Sequence, residues 1–201
     1  MIICIILNKL KSMTLIPDAS SVYQGSLPVS SDNLIKLLDQ WGIIYDRSNH
    51  APLKTVEDAK KIQCQFLSSK EGGGHIKNLY LRDNKKRSLL LVAEQDRKID
   101  LKLLASKLGL GRLSFGSAER LMEHLGVRPG AVTPLAMITG AKKGVRLFID
   151  HELKNCKKIY VHPLVNDRTL GISPTNLQKF LTEVGVTADW VDLSNLAERS
   201  T

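Results

Sequence analysis

A chain of 201 residues with 43% hydrophobic and 24% charged side chains has the make-up of one soluble globular domain, and length enough for a real core. Aromatic residues are only 5%, which argues against a base-stacking platform of the kind single-strand binders use. The formal net charge is +9, and the whole excess lies in residues 51–150, where 19 basic side chains face 10 acidic ones; a basic middle suits a polyanionic partner without proving one.

Three cysteines (Cys4, Cys64, Cys156) without a CxxC pair indicate neither a disulfide framework nor a zinc site, and a reducing cytoplasm is the natural setting. The opening MIICIILNKLK is apolar and then basic. A secretory signal has the opposite order, and no segment is long enough to cross a bilayer. Residues 1 to about 25 read as an extension, with Met13 as an alternative start. Residues 26–196 read as the domain and 197–201 as a tail.

Ser31 to Gly42 (SDNLIKLLDQWG) carries a capping residue, apolar positions at helical spacing and a terminal glycine, so a helix is predicted there. A strand over Ile43–Tyr45 follows, then a loop holding His50 and Pro52. Thr55-x-x-Asp58 opens a second helix to about Gln63. Glu71–Gly74 reads as a flexible link and lacks the lysine-serine ending of a P-loop. Ile76–Arg82 and Arg87–Ala93 form a predicted hairpin across Asp83–Lys86. Short helices over Asp100–Leu108 and Ser117–Leu125 are each closed by a glycine, with a strand at Leu113–Phe115 between them. Strands are expected at Leu135–Ile138, Val145–Ile149 and Lys158–Val161, a helix from Pro174 to Val184, and a last strand at Ala188–Leu193. Short strands and interspersed helices without a regular βαβ rhythm predict an α/β domain of the α+β type. Its single mixed, largely antiparallel sheet is expected to be partly barrel-like, with surrounding helices.

Several residues in this frame carry chemistry. Gly130 to Pro134 (GAVTP) follows an amphipathic helix. Glycine takes backbone angles closed to other residues and proline fixes its own, so Ala131, Val132 and Thr133 sit in a rigid bend whose N–H groups are expected to face a ligand. Most such turns are structural only. Lys77 begins a strand face that continues through Leu79 and Leu81, with Ile76, Asn78 and Tyr80 on the other face. A cation there is either a snorkelling side chain or a fixed charge at a pocket mouth. His162 ends a strand before Pro163. His50 lies in a HAP turn, while His75, His124 and His151 read as surface or helix residues. No Ser-His-Asp or Cys-His set assembles from the sequence, and the histidines lack metal-ligand spacing. No cofactor or metal is expected.

Five ordered segments, HAPLKTVEDA (50–59), KNLYLRD (77–83), LSFGSAERLMEHLGV (113–127), GVRPGAVTPL (126–135) and VHPLVNDRTLGISP (161–174), resemble the prolyl-tRNA editing domains. They are most similar to the free-standing, ProX-like alanyl-tRNA(Pro) deacylases, across nearly the whole chain. The resemblance implies a trans-acting hydrolase that removes alanine from mischarged tRNA(Pro) through a size-selective pocket. A water, aided by backbone groups and the neighbouring ribose hydroxyl, attacks the aminoacyl ester. It implies that Gly130–Pro134 holds the aminoacyl carbonyl and that Lys77 is the essential site lysine, engaging the terminal adenosine's phosphate or backbone. Asn78 and His162 then line the pocket, with His50 a weaker candidate. The implied partner is tRNA(Pro), with prolyl-tRNA synthetase as a second candidate. Two alternatives stay open: the related YbaK branch, which deacylates cysteinyl-tRNA(Pro), and a non-catalytic tRNA- or amino-acid-binding module of the same fold. The loop reads GAVTPLA rather than the serine-proline version usual in the cysteine branch, which favours alanine.

Overall fold

The computed structural model describes residues 17–53, 56–194 and 196. Cys4, Met13 and the Thr55 cap lie outside the described residues. The elements run α1 (Ser31–Gln40), β1 (Tyr45–Asn49), α2 (Val56–Ile62), β2 (Gly73–Asp83), β3 (Ser88–Glu94), α3 (Leu101–Lys107), β4 (Leu113–Phe115), α4 (Ala118–Leu125), α5 (Met137–Gly140), β5 (Arg146–Asp150), β6 (Lys158–Val161), β7 (Arg168–Ile172), α6 (Pro174–Glu183) and β8 (Asp189–Val191).

One eight-stranded mixed sheet runs in the order β1-β7-β6-β2-β3-β5-β8, with β4 pairing β2 off this path. The sheet does not close: β1 and β8 are its edges, so the barrel-like expectation gives way to an open sheet. Four pairings are antiparallel (β1·β7, β2·β3, β2·β4 and β6·β7) and three are parallel (β2·β6, β3·β5 and β5·β8). The 11-residue β2 is the spine. Along one edge Ile76–Arg82 pair with β3; along the other, Gly73–His75 pair with β6 and Leu81–Asp83 with β4. Between those two partners, Ile76–Tyr80 have a strand neighbour on one side only.

Alternation along the strands sorts the core into two layers. Leu90 and Val92 of β3 join Tyr80 and the inward residues of α1, α4, α5 and α6 in the larger cluster. Leu81, Leu89, Leu91 and Ala93 face the smaller cluster, covered by Leu104 and Ala105 of α3 with Leu193 and Leu196 of the C-terminal segment. The helices start where capping chemistry allows. Ser30 accepts from the Asn33 N–H, Ser117 from the Arg120 N–H, and Ser173, ahead of Pro174, from the Asn176 N–H.

Three departures from the sequence-based expectations have physical causes. Leu135–Ile138 is not a strand. Thr133 caps a 3-10 turn over Pro134–Ala136 by accepting from the Leu135 N–H at 3.3 Å, and α5 continues from it. Every residue from Pro134 to Met137 is buried, so the run has no periodicity to separate helix from strand. The second is β7, absent from the prediction: its RTLGI sequence contains a glycine that weakens a strand signal, yet both its edges are paired, with β1 and β6. At Gly171 a Cβ would stand 3.1 Å from the Tyr160 ring, a tight approach that the glycine avoids. Third, Glu71–Gly74 is not a flexible link. Ser69–Glu71 is a capped 3-10 turn, and Gly73 opens β2 with its Cα against the Leu67 carbonyl, where a Cβ would lie 1.9 Å from the oxygen. The strand predicted at Ile43–Tyr45 begins only at Tyr45, and Ile44 is exposed.

Candidate active site

Three loops meet at the ends of β1, β6 and β7, and backbone hydrogen bonds lock them together. The Leu53 N–H donates to the Asn166 carbonyl at 3.0 Å, and the Asn166 side-chain amide returns a bond to the Leu53 carbonyl at 2.8 Å. The His50 N–H donates to the Asp167 carbonyl at 3.0 Å. Residues expected to belong to an N-terminal extension also take part: the Asn166 N–H donates to the Ala19 carbonyl, and Ser21 bonds the Asp167 carboxylate through its N–H and hydroxyl at 3.0 and 2.6 Å. The third loop, Gly130–Pro134, lies on this frame. Gly130 holds φ +92, and a Cβ there would meet the Asn166 amide at 3.6 Å. The Pro163–Asp167 segment carries its own strain, since Leu164 is left-handed at φ +67, a conformation rare for a branched side chain.

His162 stands where β6 enters this loop. Its Nδ1 is 2.9 Å from the Arg168 carbonyl, so Nδ1 carries the proton and donates. Burial, ahead of any neighbouring charge, lowers the pKa of the ring below the ordinary histidine range. The ring is therefore neutral, and Nε2 is left as a bare acceptor. His162 lines a cavity of about 70 Å³ with Leu53, Phe66, Ile76, Tyr160 and Thr169. His50 does not line it, but its ring centroid lies 6.4 Å from that of His162. His50 Nδ1 donates to the Ala51 carbonyl at 2.8 Å; in the neutral ring Nε2 then accepts from the Thr169 hydroxyl at 2.9 Å. Thr169 itself lines the cavity.

The remaining predicted residues divide. Asn78 shares the Ile76 face of β2, and its Oδ1 is buried with no hydrogen-bond partner among the described residues, as is Oδ1 of Asn166. In the Gly130–Pro134 loop the Ala131 N–H donates to the Arg128 carbonyl, so it does not face a ligand as expected. The Val132 and Thr133 N–H groups donate to no described residue. Lys77 lies on the opposite face of β2 from Ile76, in line with Leu79 and Leu81 of the smaller core. Its ammonium donates to the Arg97 carbonyl, Arg97 pairs with the fully buried Asp150 at 2.5 Å, and burial lowers the lysine pKa. The geometry thus joins His50, His162 and the Gly130–Pro134 loop around one set of loops, leaves Asn78 on the Ile76 face of β2 and holds Lys77 on the other side of the strand.

Sequence reasoning missed Thr169, Tyr160 and Asn166. Thr169 sits on the unpredicted β7, and Asn166 is in the HPLVN motif but was passed over for its histidine. His75, expected at the surface, is buried: Nε2 donates to the Leu67 carbonyl at 2.9 Å and the ring stacks on Tyr160 at 5.1 Å. His124 is half-buried, with Nδ1 2.9 Å from both the Tyr80 and Ser88 hydroxyls. Among the described residues no group of three His, Cys, Asp or Glu side chains is arranged to hold a metal ion.

An open mixed sheet and a rigid GxxxP loop thus surround His162, which lines a small pocket. The model of the aminoacyl-tRNA editing domain matches residues 50–180, and the chain belongs to that family of enzymes. It is 35% identical to the prolyl-tRNA editing protein ProX of Acetoanaerobium sticklandii over 161 residues, covering 80% of this chain and 95% of that one. It is 38% identical to prolyl-tRNA synthetase associated domain-containing protein 1 of Xenopus laevis over 143 residues, 69% of this chain and 82% of the relative. The crystal structure of a candidate trans-editing enzyme for prolyl-tRNA synthetase shares the fold, with a TM-score of 0.60 at 19% identity over 81% of this chain and 96% of that one.

Proposed function

We propose that this protein hydrolyses the ester of tRNA(Pro) mischarged with alanine, acting in trans. The observation that carries the reading is His162, fixed by its Nδ1 bond to the Arg168 carbonyl and lining a small pocket among these loops. In this reading the pocket accepts alanine's methyl group and turns away the larger proline ring. That supplies the discrimination a proline-activating site lacks, because a missing methylene or two is worth only ~1–3 kcal/mol in binding.

In this reading the Val132 and Thr133 N–H groups receive the carbonyl oxygen as charge develops on it. His162 Nε2 accepts a proton from the attacking water, which the Thr169 hydroxyl helps to place, and the bond from the carbonyl carbon to the ribose oxygen breaks. The neighbouring ribose hydroxyl hands its proton to that departing oxygen and takes one back from the His162 imidazolium through solvent, which leaves a neutral diol and restores the neutral ring. The uncommitted Oδ1 atoms of Asn78 and Asn166 suit the α-ammonium group. Lys77 serves from behind the strand, its positive charge beside β2 favouring the terminal phosphates. The ester is already activated, so no covalent nucleophile is required.

The test is incubation of the purified protein, with its His162→Ala and Lys77→Ala variants, with tRNA(Pro) charged separately with alanine, cysteine or proline. Loss of alanine alone, abolished in His162→Ala, is the expected result. Preference for cysteine moves the chain to the neighbouring branch. Hydrolysis of none of the three overturns the enzyme reading and leaves a binding module.

A further inference from the structure

The cation excess of residues 51–150 finds no use in the site just described, and its densest run lies elsewhere. The β2–β3 turn reads Arg82-Asp83-Asn84-Lys85-Lys86-Arg87, four cations in six residues. Asp83, the acid among them, is buried and already occupied: its carboxylate accepts from the Lys85 and Arg87 N–H groups and pairs with the Arg87 guanidinium at 2.6 Å. Antiparallel pairing sets Arg82 opposite Ser114 of β4, which puts Arg112 on the same face. Arg82, Lys86 and Arg112 line one open groove with Ser114. None of the three forms an ion pair with a described residue, and Arg82 Nε is buried without a hydrogen-bond partner. A solvated basic surface does not need a guanidinium Nε turned inward and left unmet.

We infer that this groove is the docking surface for the acceptor duplex of the tRNA substrate, with Arg82, Lys86 and Arg112 on the phosphates. The inference rests on the editing reading for the identity of the RNA, and on charge and spacing for its placement. Arg82 lies six residues along β2 from Ile76 on the same face, or roughly 20 Å at ~3.3 Å per residue. That is a span the unpaired 3′ end of a tRNA bridges before its paired stem begins. A protein that meets RNA duplex chiefly through backbone contacts gains affinity by neutralising phosphates, and that affinity falls with salt.

The experiment compares the triple variant Arg82→Gln, Lys86→Gln, Arg112→Gln with a control triple of equal charge change, Lys36→Gln, Lys70→Gln, Lys154→Gln, at exposed positions away from the groove. Deacylation is measured on full-length alanyl-tRNA(Pro) and on an alanylated oligonucleotide holding only the unpaired 3′ end, across a salt series. The groove variant is expected to raise KM for the full-length substrate by about tenfold and to flatten the log–log salt slope by about 2–3. The catalytic constant, and the rate on the short oligonucleotide, stay as in the parent. An unchanged KM, an equal loss in the control triple, or an equal loss on the short substrate overturns the proposal. Fluorescence anisotropy with uncharged tRNA(Pro) keeps the two readings apart. If the parent hydrolyses nothing, the editing reading has failed, and weakened tRNA binding by the groove variant alone still upholds the docking surface. Equal binding by parent and groove variant refutes it.

Discussion

The two faces of β2 do opposite things with polar groups. On the Lys77 face each one is partnered: Lys77 with the Arg97 carbonyl, Arg97 with Asp150, and the second Asp150 oxygen with the Glu152 N–H at 3.2 Å. On the Ile76 face, and in the loops beside it, buried acceptors stand without partners among the described residues: the Oδ1 atoms of Asn78 and Asn166. Burying a polar atom unpaired costs stability, so a fold keeps such atoms where a ligand completes them. On that contrast the Ile76 side is proposed to hold the substrate, and Lys77 to act from behind the strand through its charge.

The sharpest way to break this contrast is to remove one member from each side. His162→Ala is expected to lower kcat/KM by about 10²–10⁴ while leaving the melting temperature within a few degrees, because a positioned proton acceptor is worth that much and little packing is lost. A variant with normal kinetics refutes the assignment. Asp150→Ala is expected to do the reverse. It leaves Arg97 with an uncompensated charge and costs about 3–5 kcal/mol, read by urea titration. At a substoichiometric denaturant load the folded fraction keeps its kcat. A loss of kcat greater than the loss of folded protein places Asp150 and Lys77 in the chemistry instead.

Thr169→Val keeps the side-chain shape and removes the hydroxyl that meets His50 Nε2, so kcat/KM is expected to fall about tenfold, the smaller end of what one hydrogen bond to a reacting group contributes. The pH profile sharpens the same point. Protonation of His162 fills Nε2 and ends its role as acceptor, and burial lowers the pKa at which this happens. Activity therefore stays level as pH falls through about 6.5, the ordinary histidine value, and declines only below it. A midpoint at the ordinary value points to a solvated group instead. The mildest change is Gly130→Ala. Its left-handed backbone at φ +92 disfavours a side chain, and about 1 kcal/mol of stability is expected to be lost, measured as a shift of a few degrees in thermal melting.

Much of the scaffold was legible because its signals are local. The β4 and β6 boundaries agree with the expectation, and α1, α4 and α6 begin within a residue of the capping serines that announce them. The GAVTP loop, His50, Asn78 and His162 were legible as motif members, and the structure gathers the loop and the two histidines around one frame. What escaped was non-local. β7 is a strand because β1 and β6 supply its hydrogen bonds, and the buried Pro134–Met137 run is helical because Thr133 caps it. Thr169 and Asn166 owe their place to partners more than a hundred residues away, His50 and Leu53. For Lys77, the sequence placed it opposite Asn78 by strand alternation, but not which of the two faces would hold the site.

By itself the sequence determined the family, the cation excess, the helix starts and the GxxxP bend, since each depends on residues a few positions apart. Only the tertiary structure decided which polar atoms were left without partners, which tautomer His162 carries and which side of β2 encloses the cavity. Those outcomes follow from long-range pairing and burial. A hydrogen bond between distant segments, or the desolvation of a ring, exists only once the chain has closed around it.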